Sequence, residues 1–343
     1  MRPRVLKIDP DNIDRKVLEQ AAEVIVRGGL VAFPTETVYG LGAAALDPRA
    51  VSGIFQAKQR PLDDPLIVHI ADPDDLGKLA RDVPTAVYKL MDRFWPGPLT
   101  IVLGKSPAVP DLVSTGLETV ALRMPSDPVA RGLIQLSGVP IAAPSANLFG
   151  RPSPTTADHV LEDLRGKIDV LLDGGKTDIG VESTVIELVD GEVVLLRPGG
   201  VRTEDIERIT GPVRSPSSDA ETEVTPGKYP QHYSPRALVV LSEDSPGQVG
   251  HTLTRAEQLS REGKRVGLLI RQEHADDYRG HEVKVLGPGN DGETCAARLF
   301  HLLRQFDTEG IDVIIAEGIP EAGLGAAVMN RLRKASGPDM IVE

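Results

Sequence analysis

Between Gly211 and Pro235 the chain changes character, and that change limits what the rest can fold into. The stretch is rich in Pro, Ser, Thr, Asp and Glu and holds almost no apolar residue through Pro226, so it cannot bury enough surface to join a core. It ends in Pro226-Gly227-Lys228-Tyr229-Pro230-Gln231-His232-Tyr233-Ser234-Pro235, too aromatic and too rigid for a passive tether. A boundary on each side divides the 343 residues into 1–211, a linker 212–236, and 237–343, each flanking part long enough for its own core.

Before the linker, short apolar runs alternate with helical patterns. Val17, Leu18, Ala21, Val24 and Ile25 recur at helical spacing and predict a helix over 14–27. Strands are expected at 30–33, 66–70, 99–103, 120–124, 140–143, 170–172, 183–188 and 193–196, which together read as a mixed sheet covered by helices. After the linker, strands at 238–241, 267–270, 283–286 and 312–316 alternate with helices at 248–262, 293–307 and 326–335. That alternation predicts a small Rossmann-like α/β domain.

Composition narrows the class. Hydrophobic residues make up 41% and charged residues 26% of the chain, as in soluble globular proteins. No apolar run approaches the ~20 residues of a membrane span, and no apolar signal region opens the chain. The single cysteine, Cys295, fits a reducing cytoplasm and reads as a buried, inert thiol. A net charge of −12 argues against a large nucleic-acid footprint and makes locally cationic segments more informative.

Two runs stand out on that acidic background. Pro34-Thr35-Glu36-Thr37-Val38-Tyr39-Gly40 follows the strand expected at 30–33 and would present hydroxyls and backbone donors at its carboxyl end, where open α/β sheets bind ligands. Lys58-Gln59-Arg60-Pro61 places two cations at alternate positions. If extended, Lys58 and Arg60 share a face, as a phosphate or carboxylate clamp requires; otherwise they are a pair of solvated cations. Arg123 and Arg197 lie in or beside apolar strands, where a guanidinium needs an anion, either a carboxylate of the protein or a ligand. Ser145-Ala146-Asn147 follows a buried strand, and Ser145 and Asn147 could bond a nucleotide or close a local turn. Ser183 carries the same two readings. His69 ends a strand, where a histidine is ordinarily a satisfied edge residue, whereas His232 has no helix or strand to serve. Gly287-Pro288-Gly289-Asn290-Asp291-Gly292 matches a dinucleotide-binding pattern, but Pro288 lacks a donor and Asp291 is negative where phosphate would sit, so it reads as a loop. Neither metal-ligand spacing nor a nucleophile elbow nor a P-loop occurs.

In order along the chain, these pieces resemble the threonylcarbamoyl-AMP synthase family in its long two-domain form. The resemblance runs through residues 29–42, Lys58-Gln59-Arg60-Pro61, Pro65-Leu66-Ile67-Val68-His69, Trp95-Pro96-Gly97-Pro98-Leu99-Thr100, Arg123-Met124-Pro125, Ala143-Pro144-Ser145-Ala146-Asn147, Ser153-Pro154-Thr155, Glu182-Ser183-Thr184 and Leu196-Arg197-Pro198-Gly199. The second half adds Ala297-Arg298-Leu299-Phe300 and Gly323-Leu324-Gly325-Ala326-Ala327. The fold it implies is a YrdC-like twisted mixed α/β sheet with helices, joined by a long linker to a smaller Rossmann-like α/β domain.

The reaction it implies joins L-threonine, bicarbonate or CO2, and ATP into threonylcarbamoyl-AMP and pyrophosphate. A separate tRNA-modifying transferase complex then uses the product to make threonylcarbamoyladenosine. By position, Thr35, His69, Arg123 and Ser183 would hold threonine, with Arg123 on its carboxylate. Lys58 and Arg60 would neutralise the phosphates and the nascent carbamate. Thr115, Ser145, Asn147, Ser153, Arg197, His232 and Tyr233 would bind the nucleotide. Mg2+ would arrive with ATP rather than in a protein cage, no dedicated metal residues are expected, and the compartment implied is the cytoplasm. The linker of this family crosses the catalytic opening, and here its sequence departs from the family's Pro-Gly-Met-Lys-Tyr at Pro226-Gly227-Lys228-Tyr229-Pro230. The competing readings are carbamoyl transfer through a carbamoyl-adenylate, as in hydrogenase maturation or antibiotic tailoring, and a non-enzymatic RNA-binding module. The single cysteine argues against the zinc-bearing version of the first and the net charge against the second; strong direct tRNA binding is not expected.

Overall fold

The computed structural model describes residues 2–217, 225, 227, 229 and 231–342. Pro226, Lys228 and Pro230, where the linker departs from the family sequence, lie outside the described residues. The chain forms two compact units, one of Met1–Phe149, Pro154–Asp178 and Glu182–Lys228, the other of Gly150–Ser153, Ile179–Val181 and Tyr229–Glu343.

The first unit is built on an 11-stranded sheet. Its strands are β1 (Arg4–Lys7), β2 (Val31–Phe33), β3 (Gly40–Ala44), β4 (Ile67–His69), β5 (Leu99–Gly104), β6 (Thr119–Arg123), β7 (Ile141–Ala142), β8 (Val170–Asp173), β9 (Thr184–Val189), β10 (Glu192–Arg197) and β11 (Val213–Arg214). They lie in the order β1-β8-β2-β3-β7-β4-β6-β5-β9-β10-β11. Parallel pairs such as β4–β6 and β5–β9 alternate with antiparallel ones such as β2–β3 and β5–β6, the mixed sheet expected.

The helix Arg15–Val26 starts where Asp14 accepts a bond from the Lys16 amide, satisfying one of the open donors of its first turn. It buries Leu18, Ala21, Ala22 and Ile25, each large one contributing about 2 kcal/mol by leaving water. Leu18 settles over Gly132 of the helix Pro128–Ser137, where a Cβ would stand 2.6 Å from Leu18 Cδ1. Strands β1 and β3 and the helix Pro48–Lys58 were not expected from periodicity. Strand β3, Gly-Leu-Gly-Ala-Ala, is buried throughout and shows neither alternation nor β-branching. A Cβ on Gly42 would come within 2.7 Å of both Ile141 and Phe33, so close packing of neighbouring strands sets its composition.

The second unit is a five-stranded sheet whose pairs are all parallel: β12 (Leu238–Ser242), β13 (Val266–Arg271), β14 (Glu282–Gly287), β15 (Val313–Glu317) and β16 (Ile341–Val342), in the order β14-β13-β15-β12-β16. Its crossovers contain the helices Gln248–Arg261, Gly292–Glu309 and Gly325–Ser336, the Rossmann-like pattern expected. The glycine-rich segment after β14 is a loop whose Gly289 amide is already taken by both Glu273 carboxylate oxygens, each at 3.1 Å. Cys295 is fully buried, and burial, reinforced by Asp291 and Glu273, pushes its thiol up to about 12, an unreactive state.

Strands β9 and β10 form a hairpin closed by Asp190 and Gly191, both at positive φ, the backbone that a two-residue turn requires. Beyond β10 the chain passes so close to its own backbone that a Cβ on Gly199 would lie 2.3 Å from Ser183 C and 2.4 Å from Glu182 O. Gly199→Ala should therefore lower the melting temperature by an amount matching about 1–3 kcal/mol; an unchanged melting temperature would show that this crossing relaxes freely.

Candidate active site

Loop 34–39 turns the chain from β2 into β3 and is organised around one hydroxyl. Thr35 Oγ1 accepts from the Thr37 and Val38 amides, each at 3.2 Å, and donates to the Val38 carbonyl at 2.6 Å. Thr37 Oγ1 lies 2.8 Å from it and accepts from Arg123 Nη2 at 3.0 Å. Because the guanidinium only donates, the protons run one way, from Arg123 to Thr37 to Thr35 to the Val38 carbonyl. Thr35 thus shapes the loop, with its own proton engaged there.

Strand register sets the adjoining row. His69 on β4 is paired with Arg123 on β6, which is paired with Thr100 on β5, so the three side chains share one face. Thr100 Oγ1 reaches Ser183 Oγ at 2.8 Å. Arg197 donates to the Ser183 carbonyl from Nε at 3.2 Å and Nη2 at 3.0 Å, and to Ser183 Oγ at 3.2 Å. All five residues are buried. His69 is neutral because burial first, and the adjacent Arg123 charge second, hold its pKa down to about 3. Its Nδ1 has no hydrogen-bond partner among the described residues. Arg123 forms an ion pair with Glu36, Nη2 to Oε1 at 2.8 Å. Thr100 and Glu36 escaped the sequence reading. A lone hydroxyl in an apolar strand is a weak signal, and Glu36 stood inside a motif read for its hydroxyls.

The second run is not extended. Lys58 is the last residue of the helix Pro48–Lys58, and Gln59 caps it in the left-handed region at φ 55°. This corrects the expectation that alternate positions put Lys58 and Arg60 on one face: the helix end redirects them. Lys58 Nζ donates to the carbonyls of Ser145 and Asn147, the latter at 2.7 Å. Burial, and secondly the Arg60 charge, hold its pKa well below the usual ammonium range. Arg60 donates to the Asp64 and Pro65 carbonyls at 3.0 and 2.8 Å and pairs with Asp64 Oδ2 at 2.9 Å. The other Asp64 oxygen accepts the Gly227 amide at 2.8 Å, so a linker residue is held by the carboxylate that balances Arg60. Ser145 and Asn147 meet Lys58 through backbone carbonyls, while the Asn147 side-chain amide donates to Leu148 O at 2.7 Å.

The two groups are stitched together through the loop. Gly40 bridges Ser145, the Ala146 amide donates to Tyr39 O at 2.8 Å, and the Leu41 amide donates to Pro144 O at 2.8 Å. Thr115 sits apart at the end of the helix Asp111–Ser114, left-handed at φ 55° with its hydroxyl on the Ser114 carbonyl at 2.7 Å. A β-branched residue in that region is unusual and recurs at functional positions. Ser153, His232 and Tyr233 belong to the second unit. All three are buried, and Tyr233 packs there against Phe300, with ring centroids 5.5 Å apart, and beneath Arg331 at 5.3 Å. Among the described residues no cluster of His, Cys, Asp or Glu could hold a metal ion.

The arrangement is thus a buried guanidinium at Arg123, paired with Glu36, flanked by hydroxyls and a neutral imidazole, and linked through the loop to a buried lysine–arginine pair. The family model described as "Telomere recombination" matches residues 23–199, and that described as "Threonylcarbamoyl-AMP synthase, C-terminal domain" matches 201–337. A threonylcarbamoyl-AMP synthase of Pyrococcus abyssi is 49% identical over 332 residues, covering 95% of this chain and 96% of that protein. One of Bacillus subtilis is 48% identical over 328 residues, covering 94% of each. The crystal structure of P. abyssi Sua5 complexed with L-threonine matches with a TM-score of 0.91 and 47% identity, covering 99% of each chain. With both of its parts matched and nearly its whole length shared with such relatives, the chain belongs to the threonylcarbamoyl-AMP synthase family, in its long two-domain form.

Proposed function

We propose that this chain condenses L-threonine, bicarbonate or CO2, and ATP into threonylcarbamoyl-AMP and pyrophosphate, for threonylcarbamoyladenosine formation in tRNA. The observation that carries the reading is the buried Arg123 guanidinium beside a neutral His69 whose Nδ1 has no hydrogen-bond partner among the described residues, a receptor for a small amino acid's carboxylate and a polar group near it. A relative of similar length and fold binds L-threonine. In this reading residues 1–211 are catalytic, 212–236 link, and 237–343 form the C-terminal domain.

Arg123 pairs with the threonine carboxylate, and Thr35, His69 and Ser183 complete its pocket. The threonine amine adds to CO2, losing a proton to form a carbamate. A carbamate oxygen then attacks the α-phosphorus of ATP, and pyrophosphate leaves with the electron pair of the broken P–O bond. The step needs placement and charge stabilisation rather than a protein nucleophile. Lys58 and Arg60 supply positive charge to the phosphates and the carbamate. Burial holds Lys58 reluctant to carry a proton, and an arriving polyphosphate reverses that preference because an adjacent anion favours the ammonium form. Thr115, Ser145, Asn147 and Arg197 serve the nucleotide.

Mg2+ fits this site only as a companion of the phosphates. Among the described residues no carboxylate cluster could hold it, and the Asp64 carboxylate is engaged by Arg60 and Gly227; when bound, the ion would shield phosphate charge. No helix among the described residues is long and apolar enough to cross a membrane. We place the reaction in the cytoplasm, with its product passed to a tRNA-modifying transferase complex.

Pyrophosphate release from ATP is expected only when both threonine and bicarbonate are present; release with either one omitted would refute the assignment. Lys58→Met keeps the stem but removes the charge and leaves two carbonyls without their donor. Its turnover should fall about 100-fold or more, whereas wild-type turnover would remove Lys58 from the chemistry.

A further inference from the structure

Glu36 holds a position that neither its burial nor its hydrogen bonding explains. Its side chain is 8% exposed, beside an Arg123 side chain that is 5% exposed. The 2.8 Å approach to Nη2 brings opposite charges together, yet among the described residues neither carboxylate oxygen has a hydrogen-bond donor in line. A buried carboxylate ordinarily fills its lone pairs with such donors. Arg123 directs its aligned hydrogen bonds elsewhere, to Thr37 Oγ1 at 3.0 Å and to the Gly97 carbonyl at 3.4 Å. Asp127 adds like charge nearby: burial first, and the Glu36 charge as well, push its carboxyl up to about 6. The pair therefore satisfies charge while leaving hydrogen bonding unfilled, which is the condition of a contact that a better-bonded anion displaces.

We propose that Glu36 is an internal placeholder for the substrate carboxylate, neutralising Arg123 in the empty site and leaving it when an amino-acid carboxylate arrives. This rests on the reading of Arg123 as the threonine carboxylate receptor. Without Glu36 the empty site would bury a lone guanidinium, a strongly destabilising state. With it, every ligand must first win Arg123 from an internal competitor, and apparent affinity is lowered by the fraction of chains in which the receptor is taken. The exchange also selects: a ligand without a carboxylate cannot replace the charge that Glu36 withdraws, so it gains nothing from the site. Glu36 is a positioning residue here, acting through Arg123.

The test is calorimetric titration of L-threonine into the full chain without ATP, for wild type, Glu36→Gln and Glu36→Asp. Gln keeps the shape without the charge, and Asp keeps the charge but falls one methylene short of Arg123. Both variants should bind L-threonine at least threefold more tightly than wild type, while L-threoninol, which lacks the carboxylate, gains nothing in either. Equal or weaker binding of L-threonine by the variants overturns the proposal, and so does an equal gain for L-threoninol. If Glu36→Gln does not fold, Glu36→Asp decides. Failure of the wild type to bind L-threonine at all would overturn the proposed function together with this inference, whereas wild-type binding without the gain overturns the inference alone.

Discussion

The first unit is arranged around one expensive group, the guanidinium of Arg123 placed on a central strand out of water. A charge there costs several kcal/mol unless it is matched, and the neighbouring elements match it from three directions. Strand register sets His69 and Thr100 beside it, loop 34–39 brings up Thr37 and Glu36, and the turn before β5 offers the Gly97 carbonyl. Of these contacts, one is an ion pair without aligned hydrogen bonds. The fold therefore tolerates the charge without saturating it, which is what a receptor for a small anionic ligand requires.

The buried lysine–arginine pair follows a different logic. Lys58 and Arg60 are placed by a helix end rather than by a strand, and the left-handed Gln59 between them separates their directions. Lys58 is steadied by the carbonyls of Ser145 and Asn147, while Arg60 pairs directly with Asp64. Asp64 also receives the Gly227 amide, so the linker touches the balance of charge at this end of the site.

Much of this was legible in the chain because burial leaves a periodic trace. The helix 14–27, the strands around His69, Arg123 and Arg197, and the alternation after the linker follow directly from apolar spacing, with ends displaced by a residue or two. Strand β3 was hidden because its glycines and alanines answer to the closeness of Phe33 and Ile141 rather than to a pattern. The helix Pro48–Lys58 was hidden because its run ends in a motif that invites an extended reading. The site residues could be named by resemblance, but their pairings could not: that Glu36 meets Arg123, Asp64 meets Arg60, and the Ser145 and Asn147 carbonyls meet Lys58 depends on strand register and loop crossings far apart in sequence.

The proposed function turns on Arg123 as the receptor for the threonine carboxylate. The direct measurement is binding of L-threonine and of ATP to a chain carrying Arg123→Gln together with Glu36→Gln, which removes both buried charges at once and spares the fold a lone carboxylate. Threonine affinity is expected to fall at least 100-fold while ATP affinity stays within about threefold of wild type, in line with a buried charge-assisted contact of a few kcal/mol. Threonine binding within threefold of wild type would contradict it.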